Sequence, residues 1–305
     1  MKKDIPPYFK EKFFTQDVSD FSKYKYLKII HDEKFIKGPG SGDQKFQLAQ
    51  YIKLAYKLKL KLELPQRLLA PQHQTVGELK GQWTPMHWPD FIDFNKSSIF
   101  EDSLSNFSVE KIPQQEDSNI LYVKNLTYGD RKLMSEWARY ISELIPTDPK
   151  QKGQGLFWSR SEKIINLTNQ ITSKYPNDFN AVIQIRRGDK LDQNDGTYMH
   201  IGGPAVYDKL TQPENILLKI KQHEWFNPEK NQPIYVMTDM LEGDPVIEGL
   251  NKSEYNFKYC YDFPELMDLK LKNNYLLYDV EIYLREMAKY SIWRNFWFSG
   301  HTINK

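Results

Sequence analysis

Cysteine is almost absent from this chain, and its scarcity limits the chemistry available. Cys260 is the single cysteine among 305 residues, which excludes an internal disulfide framework and a zinc site built on cysteines. No stretch approaches the roughly 18 consecutive apolar residues of a membrane-spanning helix. The first residues also lack the apolar core of a signal peptide. From these absences we expect a cytoplasmic protein without a membrane span.

The chain also has no large excess of positive or negative charge, and it lacks the usual spacings of metal ligands. The 42 lysines and arginines nearly balance the 40 aspartates and glutamates, which argues against a broad nucleic-acid-binding surface. The six histidines show no paired ligand spacing. No Asp-x-Asp pair occurs, although many metal-dependent sugar transferases hold a diphosphate through such a pair. We therefore expect no metal ion, no cofactor and no nucleic-acid partner.

The segment Ile183-Gln-Ile-Arg-Arg-Gly-Asp-Lys carries the most functional information. The apolar run 181–185 predicts a buried strand, and Arg186, Arg187 and Asp189 follow it at once. In open α/β sheets, ligands bind just past the carboxyl ends of the strands. Two guanidinium groups there suit a phosphate or a carboxylate, and Asp189 would orient an arginine or bind a ligand hydroxyl. A surface turn with solvated charges is the alternative.

Strand and helix patterns alternate in both halves of the chain. The pattern predicts an α/β protein with two doubly wound domains that face a cleft. A Pro- and Gly-rich linker at 146–155 places the domains at 1–150 and 151–305, and 66–120 is predicted to be loop-rich. The predicted strands are 26–30, 34–36, 61–64, 181–185, 233–239 and 256–261, and the predicted helices are 46–60, 130–144, 162–175, 213–224, 264–271 and 275–290.

A glycine-rich turn precedes the first of these helices. Gly40 and Gly42 let the backbone approach a ligand, and the helix that follows attracts anions to its N-terminus. Glu63, about 20 residues further on, is typical of a dinucleotide-binding site. Asp43 and Gln44, however, stand where the third glycine of that fingerprint belongs, and a carboxylate there would repel a pyrophosphate. A dinucleotide-dependent oxidoreductase and a plain tight turn both stay open.

Four segments together resemble the GDP-fucose fucosyltransferase superfamily, which includes the α1,2- and α1,6-fucosyltransferases and the protein O-fucosyltransferases. The segment 184–189 resembles the His-x-Arg-Arg-Gly/Thr-Asp signature of that family. The segment 40–44 resembles its Gly-x-Gly-Asn-Gln opening, and 236–239 resembles its later strand that ends in Ser/Thr-Asp. Asp279 and the pair Asn295-Phe296 stand at the spacing of an aspartate and a phosphate-contacting turn in several members.

Three positions depart from the family pattern. Gln184 stands in place of the family histidine, Asp43 in place of asparagine, and Asn295 in place of serine or threonine. A transferase of the same fold that uses another nucleotide sugar, such as a UDP-sugar, is therefore the first alternative.

The resemblance implies a metal-independent inverting glycosyltransferase that moves fucose from GDP-fucose to a glycan or protein hydroxyl. It implies a GT-B-like fold of two Rossmann-like domains. The carboxy-terminal domain would hold the donor, and Arg186 would clamp the diphosphate. Arg187 would make a structural salt bridge or a second phosphate contact. Thr238 and Asp239 would belong to the same donor site, together with Gly40 and Gly42 of the turn.

The resemblance also implies roles for the base and the acceptor. Asp279 would accept hydrogen bonds from the N1–H and N2 amine of guanine, and Asn295 and Phe296 would lie against the phosphates. Asp43 is the best candidate for a general base at the acceptor hydroxyl. A dissociative reaction with little need of a base is the alternative.

Overall fold

The computed structural model describes most of the chain, in two compact units, Met1–Lys163 and Ile164–Lys305. The predicted domain boundary at residue 150 lies outside the described residues, so the domain limits stay a prediction. The same holds for the predicted strand 34–36 and for most of the predicted helix 130–144. The described residues are 5–16, 18–30, 41–97, 103–124, 136–137, 139–140, 158–187, 191, 203–223, 226, 228 and 231–292.

The first unit is built on a parallel four-stranded sheet with the strand order β6-β2-β1-β7. The predicted strands at 26–30 and 61–64 and the helix between them are confirmed. The elements of this unit are α1 (Pro7–Phe13), β1 (Tyr26–Ile30), α2 (Ser41–Leu58), β2 (Lys61–Glu63), β3 (Arg67–Leu69), β4 (Thr84–Met86), β5 (Ile92–Ser97), β6 (Ser108–Val109), β7 (Ile120–Lys124) and β8 (Trp158–Arg160).

Helix α2 begins earlier than the sequence pattern predicts. It starts at Ser41 rather than Phe46, so Gly42 and Asp43 lie in its first turn and not in a glycine turn before it. An acidic residue in the first turn is favoured by the partial positive charge at the helix N-terminus. The apolar stripe of α2 buries Leu48 and Ile52 completely, as a helix packed against a sheet should.

The predicted loop-rich region 66–120 contains ordered short strands, and that prediction was wrong in part. β3 pairs with β4, and β5 pairs with β8, both antiparallel. The guanidinium of Arg67 lies 4.7 Å from the ring centre of Trp88 and 3.7 Å from that of Phe91, a cation–π arrangement that ties this region together. Strands of three to six residues, one of them paired with a distant segment, leave little local pattern in the sequence.

The second unit carries another parallel four-stranded sheet, with the order β11-β10-β9-β12. The predicted strands and helices of this half are confirmed, with earlier ends for five of them: α3 ends at Lys174, α5 at Gln222, β10 at Thr238, β11 at Lys258 and the last helix at Met287. Its elements are α3 (Glu162–Lys174), β9 (Ala181–Ile185), α4 (Pro204–Leu210), α5 (Pro213–Gln222), β10 (Pro233–Thr238), α6 (Pro245–Asn251), β11 (Asn256–Lys258), α7 (Pro264–Lys272), α8 (Asn274–Met287) and β12 (Tyr290–Ile292).

Strand β9 is buried along its whole length, and its two faces pack against different sides of the second unit. Ala181, Ile183 and Ile185 join the apolar core that α5 and α6 cover. Gln184, on the opposite face, contacts Arg285 of α8. A central parallel strand covered on both faces reads as a continuous apolar run, which is why 181–185 was recognisable in the sequence.

Both sheets follow the same path through their strands. In each, the first strand pairs with the second, the second with the third, and the last strand returns to the free side of the first. This 3-2-1-4 order is that of the first four strands in the 3-2-1-4-5-6 order of a Rossmann-like sheet. The α/β class with parallel sheets is therefore confirmed. Across the described residues, no helix combines the length and apolarity needed to cross a membrane.

We expect Gly249→Ala to destabilise the protein, although alanine favours helices over glycine by about 1 kcal/mol. A Cβ at Gly249 of α6 would overlap the Cγ of Pro213 and lie 3.0 Å from its Cβ. A proline ring cannot swing away, and overpacking of this kind costs about 1–3 kcal/mol. Urea unfolding measures the change. Glu248→Ala, at an exposed position of the same helix, is the control, and equal stability of the two variants would contradict this packing.

Candidate functional site

Two charged residues emerge side by side from the carboxyl edge of the second sheet. Ile185 of β9 pairs in register with Thr238 of β10, so Arg186 and Asp239 are the next residues of neighbouring strands. The Nε of Arg186 lies 3.8 Å from the Oδ2 of Asp239, and their side chains are 31% and 33% exposed. The guanidinium is thus oriented by a carboxylate while it stays accessible to solvent.

Arg187 is engaged elsewhere, at the end of helix α4. Its Nη2 lies 2.6 Å from the Oδ1 of Asp208. Its Nη1 donates to the hydroxyl and the carbonyl of Thr211, at 2.5 and 3.1 Å. A cation at a helix C-terminus satisfies carbonyls that have no partner within the helix. This is the structural salt bridge, the first of the two roles expected for Arg187.

The peptide group that joins the two arginines is also held. The amide of Arg187 donates to the Oδ1 of Asp239 over 2.7 Å. The hydroxyl of Tyr207, on α4, donates to the carbonyl of Arg186. Thr238 contributes to the same edge, because its hydroxyl accepts a bond of 3.1 Å from the amide of Met240 and so shapes the turn that carries Asp239.

A polar layer lies between the sheet and helix α8, beneath this edge. Gln184 accepts a bond of 3.0 Å from the Nη1 of Arg285, and the hydroxyl of Tyr235 donates to the Oε1 of Glu281 over 2.5 Å. Asp279 is 5% exposed. Because α8 runs into the start of β12, it is antiparallel to the strands, and its first half, with Asp279, lies toward the carboxyl edge.

Burial governs the protonation of this layer. It raises the pKa of Glu281 to about 7, and Asp239 adds to the increase, against the opposing effects of Tyr235 and Lys270. Burial also raises the pKa of Cys260 to about 11, and the Nζ of Lys270 lies 3.6 Å from its Sγ. The thiol is therefore protonated at neutral pH, as expected of a core residue and not of a nucleophile.

The structure brings together four of the predicted residues, namely Arg186, Arg187, Thr238 and Asp239, and it places Asp279 on α8 of the same unit. Gly40, Asp189, Asn295 and Phe296 lie outside the described residues, and for Gly42 and Asp43 only the helical backbone is described.

Sequence reasoning missed the residues that support this edge, namely Tyr207, Asp208, Thr211, Glu281 and Arg285. One signal was present in the sequence. Gln184 is a polar residue within a strand predicted to be buried, and a buried amide requires a partner, which Arg285 supplies. Glu281 and Arg285 stand four residues apart on a helix, a spacing that usually indicates an exposed ion pair.

Glu63, the residue that favoured a dinucleotide site, is already occupied by protein groups. Its Oε2 accepts the amide of Ile112 over 2.9 Å, and its Oε1 lies 2.9 Å from the Nζ of Lys28. A ribose would have to compete with both groups. Among the residues that the structure describes, no group of three or more His, Cys, Asp and Glu side chains is arranged to hold a metal ion.

We expect Glu281→Gln to flatten the pH dependence of stability. The folded pKa of about 7 exceeds the ordinary value of 4.5. The stabilisation is therefore complete below about pH 4.5 and is lost as the pH rises through 7, by up to about 3 kcal/mol. Urea unfolding from pH 5 to 8 measures the slope.

The control for this slope is Glu265→Gln. Lys174 lowers the pKa of Glu265 below its ordinary value, so its titration falls below this window and the slope should persist. A wild-type slope in Glu281→Gln would show that another group titrates.

Known proteins give distant likenesses only. The chain matches no protein-family model and no curated protein. Among solved structures, POFUT1 in complex with GDP-fucose is similar with 11% sequence identity and a TM-score of 0.38, over 89% of this chain and 98% of that chain. POFUT1 in complex with GDP is similar with 12% identity and a TM-score of 0.39, over 90% of this chain and 99% of that chain.

Proposed function

We propose that the chain is a metal-independent inverting glycosyltransferase of the GT-B type that uses a nucleotide sugar. GDP-fucose is the donor we expect, and a glycan or protein hydroxyl is the acceptor. One observation carries the proposal. Arg186 presents a partly exposed guanidinium at the carboxyl end of β9, beside the point where the strand order reverses between β9 and β12, and ligands of such sheets bind at that point.

Arg186 has the properties that a departing nucleoside diphosphate requires. Negative charge grows on the diphosphate as its bond to the sugar breaks, and a fixed cation then binds the transition state more tightly than the ground state. Partial burial strengthens this attraction, because fewer waters screen it. Asp239 holds the guanidinium in the absence of donor across a gap of 3.8 Å, long enough for a phosphate to compete.

Asp279 supplies base preference in this proposal. Guanine presents two adjacent donors, N1–H and the N2 amine, and a carboxylate accepts both. Uracil presents a single N3–H between two carbonyl oxygens, which a carboxylate repels. Since Asp279 is 5% exposed, a base that reaches it is desolvated, and hydrogen bonds made there are strengthened by the low local dielectric.

Transfer then proceeds with inversion. The bond between the anomeric carbon and the phosphate oxygen breaks, its electrons leave with the diphosphate, and the acceptor oxygen forms the new bond from the opposite face. Asp43 is the proposed base for the acceptor proton. It lies in the first turn of α2, a helix that starts at the carboxyl edge of its own sheet because it leads back into the parallel strand β2.

The two adjacent arginines should separate function from stability. Arg186→Ala should abolish transfer and leave the free energy of unfolding within about 0.5 kcal/mol of wild type. Arg187→Ala should cost about 2 kcal/mol, because the hydroxyl and the carbonyl of Thr211 at the end of α4 lose a charged donor. Turnover and urea unfolding, measured on both variants, test the assignment. Near-normal turnover of Arg186→Ala would show that the diphosphate binds elsewhere.

A donor screen decides among the alternatives. Hydrolysis of GDP-fucose, GDP-mannose and several UDP-sugars is measured with and without EDTA, beside NAD(P) binding. We expect GDP-fucose to be hydrolysed, with the chelator changing the rate less than about twofold, because cationic side chains replace the metal. We also expect Asp279→Asn to weaken GDP binding about tenfold and to leave UDP binding unchanged.

Each other result of the screen favours a different function for this protein. Activity with UDP-sugars alone favours the same scaffold with another donor. A strict need for Mn²⁺ contradicts the metal-free mechanism. NAD(P) binding without hydrolysis of any sugar nucleotide indicates the oxidoreductase.

A further inference from the structure

The peptide group between Arg186 and Arg187 is held at both of its polar atoms by side chains. The ladder between β9 and β10 ends at the pair Ile185 and Thr238, so this peptide unit has left the sheet. Its N–H donates to the Oδ1 of Asp239 over 2.7 Å, and its C=O accepts the hydroxyl of Tyr207. A peptide at the start of a loop thus has both of its polar atoms hydrogen-bonded, as a peptide within a sheet does.

Fixing this one plane sets the direction of two side chains. The plane joins ψ of Arg186 to φ of Arg187, the two torsions that decide how each Cα–Cβ bond leaves the backbone. Arg187 is further held by Asp208 and Thr211. The Nε of Arg186 lies 3.8 Å from Asp239, and the direction in which this side chain leaves the backbone is set by the same peptide plane.

Helix α4 acts as a brace because two consecutive residues of it hold two consecutive residues of the loop. Tyr207 bonds to the carbonyl of Arg186, and Asp208 bonds to the guanidinium of Arg187. Tyr207 is completely buried, so its ring cannot swing aside to let the peptide turn. The brace therefore transmits the position of α4 to the arginine.

We propose that Tyr207 is a positioning residue for Arg186, a role that rests on the proposed function of that arginine in binding a diphosphate. The hydroxyl alone carries the role, since a phenylalanine would fill the same space. Without that hydroxyl the carbonyl of Arg186 loses its bond to α4. A carbonyl that loses a hydrogen bond is less favourable until it finds another donor, so the peptide plane rotates toward one. Arg186 then moves off the axis along which the diphosphate departs.

Tyr207→Phe tests this role, with Tyr259→Phe as the matched control. Tyr259 is an equally buried tyrosine of the same unit, and its hydroxyl donates to Asn251, away from the arginines. Misplacement of a catalytic group by about 1 Å costs about 100-fold. We expect Tyr207→Phe to lower kcat about 10- to 100-fold with donor KM changed less than about threefold. Tyr259→Phe should keep both values within about twofold.

Amide hydrogen exchange at Arg187 gives a readout independent of activity. We expect exchange of this amide to quicken about tenfold in Tyr207→Phe, because the rotating peptide breaks its bond to Asp239. The same amide should stay protected in Tyr259→Phe. Unchanged exchange, or a kcat within about twofold of wild type, overturns the proposal for Tyr207.

Failure of the proposed function looks different. Wild-type protein that turns over no sugar nucleotide would refute the transferase and, with it, the diphosphate role of Arg186. Faster exchange at Arg187 in Tyr207→Phe would then show a brace that serves some other ligand of this edge. If the wild type is active and Tyr207→Phe keeps its kcat and its amide exchange at Arg187, the proposed transferase function holds and Tyr207 has no positioning role in it.

Discussion

The register between β9 and β10 is the constraint on which the site depends. It sets Ile185 against Thr238, so that Arg186 and Asp239 follow at the same height. Asp239 thereby meets both arginines, through the amide of Arg187 and the guanidinium of Arg186. A slip of one residue would shift Asp239 along the edge, away from the peptide group that it holds.

The polar layer beneath α8 constrains how that helix lies on the sheet. Glu281 and Arg285 are both buried, and removing charges from water is costly even where they find hydrogen-bond partners. An apolar helix face would pack the same sheet at lower cost. The hydrogen bonds of Glu281 to Tyr235 and of Arg285 to Gln184 form only when α8 lies at one rotation and one height on the sheet. They thereby also set the position of Asp279, on the same helix, relative to the carboxyl edge.

Elements with a strong local pattern were predictable from the sequence, and those that depend on distant partners were not. The run 181–185 could be recognised because burial on both faces makes it continuously apolar. Strand β12 was not, because its three residues become a strand only through pairing with β9. Within the candidate site, the two arginines and Asp239 could be recognised because they stand at the ends of predicted strands. Tyr207 could not, since nothing local shows that its hydroxyl meets a carbonyl twenty-one positions earlier.

The position of β12 has a consequence for how the protein is made. Strand β9 is the centre of its sheet, yet its second neighbour is β12, which the ribosome adds more than a hundred residues later. Until then β9 exposes an apolar edge with unpaired amides and carbonyls, the kind of edge that recruits strands from other chains. While the second unit is being synthesised, its most buried strand is thus the one most exposed to pairing with other chains. Pairing with β12 ends this interval.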